Sequence, residues 1–129
     1  QRFDRSGKFL GEWTQYGKTF GLALDGDALL AFGLRGNLWR SDDGGSNWTA
    51  IPTGTVALLD AGARLDAETV VVAGMAGVLL VSTDGGRTFT LAQRDDRKAI
   101  AAVLRSGDGA LIVAGENGVR RLPLPEAAP

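Results

Sequence analysis

Two stretches of this chain are near copies of each other: Ser41-Asp42-Asp43-Gly44-Gly45-Ser46-Asn47-Trp48 and Ser82-Thr83-Asp84-Gly85-Gly86-Arg87-Thr88-Phe89. Each reads as Ser, any residue, Asp, any residue, Gly, any residue, a small polar residue and a large aromatic. They start 41 residues apart, and the same offset carries much of the rest of the chain onto itself. Asp25 falls on Asp66, Gly33 on Gly74 and Gly115, and Gly36 on Gly77 and Gly118. The apolar triplets Leu29-Leu30-Ala31, Val70-Val71-Val72 and Leu111-Ile112-Val113 fall in register. A fold for this chain has to repeat one structural unit at that period.

The unit itself is legible between residues 19 and 56. Apolar runs at residues 19–24, 28–33, 37–40 and 48–51 are separated by Asp25-Gly26-Asp27, by Leu34-Arg35-Gly36 and by the first Ser-x-Asp-x-Gly stretch. That is four short strands joined by tight turns, and four strands in a 40–45-residue repeat are the signature of a β-propeller blade. The nineteen glycines, about twice the usual share of roughly 7%, fit a chain with many such turns. Residues 98–104 have helix-forming composition, but they lie one period after residues 57–63, so the repeat makes them the innermost strand of a third blade. The expected fold is therefore all-β, a propeller of about three four-stranded blades over residues 19–56, 57–97 and 98–122. The third copy lacks its Ser-x-Asp-x-Gly stretch: Pro123-Leu124-Pro125-Glu126 stands where it is due. Residues 1–10 are candidates for a missing outer strand. Closed propellers have 4–8 blades, so three imply either a fragment or copies that associate to complete a ring, two of them giving six blades.

In the repeated stretch, the Asp side chain accepts hydrogen bonds from backbone N–H groups further along the turn. The glycines take positive φ without steric cost, Ser82 adds a hydrogen bond across the loop, and the aromatic leads into the returning strand. The candidate structural residues are Ser41, Asp43, Gly45 and Trp48, and Ser82, Asp84, Gly86 and Phe89. An EF-hand would need more oxygen ligands and a Glu at its twelfth position; neither copy has them, and no metal is expected.

These residues resemble the Asp-box, or bacterial neuraminidase repeat. The longer strings, Gly33 and Gly36 through Leu38, Ser41, Asp43 and Gly45, and Gly74 and Gly77 through Leu79, Ser82, Asp84 and Gly86, look most like the photosystem II assembly-factor-like bacterial BNR-repeat propellers. The resemblance covers about residues 19–122. It implies that the boxes are structural turns outside the central site. It also implies a non-enzymatic protein-interaction or assembly scaffold with a protein partner, in the periplasm or outside the cell. Boxes of this kind also occur in sialidases, so part of a sialidase-like glycoside hydrolase or glycan-binding propeller is the alternative.

Chemistry is sparse. With no cysteine and no histidine, thiol catalysis, disulfides, imidazole ligands and a Ser-His-Asp triad are excluded within the chain. A glycosidase needs two carboxylates flanking the scissile bond, and away from the boxes the candidates are Glu12, Asp60, Asp66, Glu68, Asp95, Asp96, Asp108 and Glu116. Sialidases use a tyrosine nucleophile and an arginine trio; the single tyrosine is Tyr16, and no grouping of arginines matches the trio. No enzymatic activity and no cofactor are expected. A net charge of −1 gives no basis for a nucleic-acid partner. No run approaches the ~20 apolar residues that span a bilayer, and Gln1-Arg2-Phe3-Asp4 is no signal peptide. Arg35, Arg40, Arg120 and Arg121 are the candidates for a partner-binding surface. Trp39, between Leu38 and Arg40, is read as core.

Overall fold

The computed structural model describes residues 19–92, 97–108, 110–116 and 118–122. Expectations for residues 1–18, which include Glu12 and Tyr16, and for Asp95, Asp96 and residues 123–129 lie outside them.

Among the described residues eleven strands form three antiparallel sheets that follow the repeat. Sheet I is β1 (Thr19–Ala23), β2 (Leu29–Gly33), β3 (Leu38–Ser41) and β4 (Thr49–Ala50), hydrogen-bonded in chain order. Sheet II is β5 (Leu59–Arg64), β6 (Val70–Gly74), β7 (Leu79–Ser82) and β8 (Thr90–Leu91), again in chain order. Sheet III has three described strands, β9 (Ile100–Arg105), β10 (Leu111–Gly115) and β11 (Gly118–Leu122). The helix-like composition of residues 98–104 yields to the repeat: β9 pairs antiparallel with β10 and buries Ile100 and Val103 against sheet II. The aromatics Trp48 and Phe89 do not open the fourth strands; β4 and β8 begin one residue later.

The sheets stack face to face, and strand alternation sorts the core into two layers. Val70, Val72 and Leu80 of sheet II meet Leu30, Phe32 and Leu38 of sheet I. Val71, Ala73, Leu79 and Val81 turn the other way and meet Ile100, Val103, Leu111 and Val113 of sheet III. Residues 70–73 are 0% exposed, which is why β6 reads as an unbroken apolar run rather than an alternating one. Each valine so placed contributes on the order of 1.5–3 kcal/mol.

The repeated Gly-x-x-Gly holds these layers together at one end, and its two glycines do different work. A Cβ on Gly74 would lie 1.9 Å from the Leu58 carbonyl oxygen, and one on Gly115 would lie 2.0 Å from that of Ala99. There the first strand of the sheet crosses the end of the second: Met75 N–H donates to Leu58 O at 2.9 Å and Glu116 N–H to Ala99 O at 3.0 Å. The pairing registers of both strand pairs shift beside these glycines. The second glycine, Gly36 or Gly77, follows a residue already in the left-handed region, Arg35 at φ 60° or Ala76 at φ 57°. Both central residues of this two-residue turn therefore have positive φ, as the right-handed twist of a hairpin prefers.

Gly74→Ala is expected to cost about 2–3 kcal/mol, because backbone rather than a movable side chain opposes the methyl group; the thermal midpoint then falls by roughly 10 °C. Gly44→Ala, with φ +75° and nothing within 4 Å of the new Cβ, carries only the left-handed strain of about 1 kcal/mol. Thermal melts of the two variants, followed by circular dichroism, check the ordering.

Candidate functional site

The two Ser-x-Asp-x-Gly stretches form the β3–β4 and β7–β8 turns, and their polar atoms are consumed locally. Ser41 Oγ donates to Asp43 Oδ1 at 2.8 Å and accepts from Gly45 N–H at 2.8 Å. Asp43 Oδ1 also accepts from Asn47 N–H, and Oδ2 accepts from the Asn47 amide at 2.7 Å. Trp48 Nε1–H closes the loop onto the Gly45 carbonyl at 2.9 Å. In the second turn Ser82 Oγ donates to Asp84 Oδ1 at 2.7 Å and accepts from Gly86 N–H at 2.8 Å. Asp84 accepts from the N–H groups of Arg87 and Thr88 and from the Thr88 hydroxyl. Phe89 packs on the sheet I–sheet II core.

Hydrogen bonds to a carboxylate favour its charged form. The Asn47 side chain, the Asn47 N–H and the Ser41 hydroxyl bring Asp43 down to about 2. Partial burial pushes Asp84 up, but donation from the Thr88 hydroxyl and N–H, Ser82 and Arg87 outweighs it and leaves the group at about 2. Carboxylates held this way are poor proton donors and have their lone pairs occupied. Among the described residues there is no group of three or more Asp and Glu that would hold a metal.

A third clasp escaped the sequence reading. At the β9–β10 turn Ser106 Oγ donates to Asp108 Oδ1 and accepts from Ala110 N–H. The Ser106 hydroxyl, the Arg121 guanidinium and the Ala110 N–H together hold Asp108 well below the usual carboxylate range. Ser106-Gly107-Asp108 carried the signal, but it sits two hairpins earlier in the repeat than the copies at Ser41 and Ser82. Asp66 caps its own turn through the N–H groups of Glu68 and Thr69, and Glu116 accepts from Ala99 N–H.

The four arginines read as one partner-facing surface are not one surface. Arg40 is buried, because its guanidinium is locked between sheets: Nη1 donates to the Gly85 carbonyl at 2.8 Å and Nε to Asp42 at 2.9 Å. A Cβ on Gly86 would press on Arg40 Nη1 at 3.1 Å. Arg35 is exposed on sheet I, and Arg120 and Arg121 are exposed on sheet III, with sheet II packed between.

A concavity among the described residues lies at the end of sheets I and II that carries the Gly-x-x-Gly turns. It is an open groove of about 760 Å³, with Arg35, Asn37, Trp39, Thr55, Val56 and Arg97 among its lining residues. The connector from β4 to β5 forms one wall, pinned by the Thr53 hydroxyl, which donates to the Gly36 carbonyl at 2.8 Å. Trp39, read as core, is instead half-buried and lines this groove, because it lies on the face of β3 opposite Leu38.

No protein-family model and no curated protein sequence matches the chain. Among solved structures it is similar to "YCF48 bound to D1 peptide", a β-propeller, with a TM-score of 0.65 and 16% identity. The match covers 81% of this chain and 38% of that one, so the chain spans well under half of its neighbour's length. At this identity the likeness establishes the fold, the stacked sheets of a β-propeller.

The low carboxylate pKa values fix a pH dependence. Groups whose folded pKa lies below the unfolded value of about 3.9 give stability that is present above that value and lost as pH falls through the folded one. The thermal midpoint is expected to stay level down to about pH 5 and then to fall as Asp43 and Asp84 protonate, between the unfolded value and about 2. The double variant Asp43→Asn/Asp84→Asn, melted across the same range, should start lower and fall less steeply in that window.

Proposed function

We propose that this chain is part of a non-enzymatic protein-interaction scaffold that receives an extended peptide segment in the groove at the Gly-x-x-Gly end. The groove carries the proposal. It combines backbone and side-chain polar groups with two guanidinium groups and the apolar surfaces of Trp39 and Val56, the mixture that suits a peptide. The fate of the carboxylates supports the same reading, since Asp43, Asp66, Asp84 and Asp108 hold turns. The neighbour of similar fold was solved with a peptide bound, which supports peptide binding as the mode. Action in the periplasm belongs to the same proposal and rests on the Asp-box resemblance.

A peptide array that includes the D1 peptide, followed by calorimetric titration of the strongest binder, tests it. Arg35→Glu and Val56→Asp, both at exposed positions, are expected to weaken binding by about tenfold or more each, the loss of one good anchoring contact. Asp43→Asn is expected to leave affinity unchanged. Binding that ignores both groove variants would overturn the reading.

A further inference from the structure

The groove departs from the repeat at three alternate positions, Arg35, Asn37 and Trp39. One period later these positions hold Ala76, Val78 and Leu80. Val78 is 1% and Leu80 0% exposed, because both pack in the layer between sheets I and II. In sheet I the place of Val78 is taken by Asn37, which is exposed. It shares a face of the chain with half-buried Trp39, since Leu38 between them points into the core.

The main chain of Asn37 is already engaged: its N–H donates to Leu34 O at 3.1 Å and its carbonyl accepts from Gly33 N–H at 3.2 Å. Its side-chain amide makes no hydrogen bond among the described residues. That amide is mounted on a stiff frame. The Thr53 hydroxyl ties the connector to the Gly36 carbonyl, Ala57 N–H donates to Thr55 Oγ1 at 3.1 Å, and a Cβ on Gly36 would lie 2.0 Å from the Thr55 carbonyl oxygen. Turn and connector are thus in backbone contact, and a group held so loses little freedom on binding. Backbone strain marks the same place. Among the described residues, Arg35, Ala76 and Arg97 are the non-glycine residues with positive φ, and all three line this groove. Such strain persists where the surroundings enforce it, and it gathers at ligand clamps.

We infer that Asn37 reads the main chain of the bound peptide. A primary amide carries an acceptor oxygen and two N–H donors. In an extended chain the N–H and C=O of one residue point to the same side, as they do between paired antiparallel strands. The Asn37 oxygen accepts from that N–H, and its amide nitrogen donates to that carbonyl. This rests on the peptide reading of the groove and adds a specificity to it. The contacted residue of the peptide is read by its backbone, so its side chain can vary, and a change to its amide cannot be tolerated.

Calorimetric titration with the strongest array peptide, and with versions methylated on one backbone nitrogen at a time, tests this. Asn37→Val installs the residue that sheet II carries at this position, and its thermal midpoint is expected to match the wild type. It is expected to bind the unmodified peptide about tenfold more weakly, the worth of a lost pair of hydrogen bonds. Asn37→Asp, which keeps the shape and loses the N–H donors, should weaken binding as well. Methylation at one position of the peptide is expected to cost the wild type a similar factor and to cost Asn37→Val nothing further, the non-additivity of groups in contact. An Asn37→Val variant that binds as tightly as wild type, while Arg35→Glu and Val56→Asp weaken binding, overturns this inference and leaves the peptide groove standing. So does methylation that costs both proteins the same at every position. Binding that ignores Arg35→Glu and Val56→Asp as well removes the groove reading, and this inference with it.

Discussion

Sheet II has no free face, and the rest of the molecule is arranged around that condition. Strands β6 and β7 bury alternate side chains in opposite directions, so both layers of the core run through them. A sheet covered on both sides gains no stability from polar residues, and Val70 to Ala73 accordingly contain none. Among the described residues no sheet covers the second face of sheet I or of sheet III, and exposed or half-buried residues return there, such as Trp39 and Leu104. Much of the difference in burial among the three repeats is therefore a difference of position in the stack.

Stacking at this distance requires that the first strand of each sheet pass close to the end of the second. The contact of Gly74 with the Leu58 carbonyl and of Gly115 with the Ala99 carbonyl is where that requirement becomes a sequence rule. A methyl group there would push the inner strand away from the layer it helps to form. The glycine that follows three residues later answers a separate demand, positive φ in the hairpin. Two physical demands at one turn make Gly-x-x-Gly the most regular feature of the repeat.

The period, the three sheets and their strand order were legible in the sequence, because spacing of apolar runs and turn residues is a one-dimensional record of a repeated unit. The function of the Ser-x-Asp-x-Gly turns was legible for the same reason: every partner of Asp43 and Asp84 in the turn lies within four residues. What could not be read was anything depending on contacts between repeats. Arg40 looks like a surface arginine in Leu38-Trp39-Arg40-Ser41; its burial depends on the Gly85 carbonyl, 45 residues away. Trp39 looks like core, and its exposure depends on sheet I having no described sheet on that side. The groove is likewise a meeting of a turn, a strand and a connector, and no single segment announces it.

Arg40 also shows how a polar group can specify a stack that hydrophobic burial alone would leave free to slide. Apolar layers such as Leu30 against Val72 tolerate small displacements, because dispersion and burial are not directional. A guanidinium fixed by Asp42 and donating to one carbonyl of the next sheet is directional, and with its side chain only 10% exposed the hydrogen bond is little screened. Gly86 keeps the passage open for it. At the junction of sheets II and III this row carries Val81 instead, and the layer there relies on close apolar packing. An aspartate-held arginine reappears in the same row of sheet III, Arg121 with Asp108, where a one-residue slip of the β10–β11 pairing turns it to the face away from sheet II.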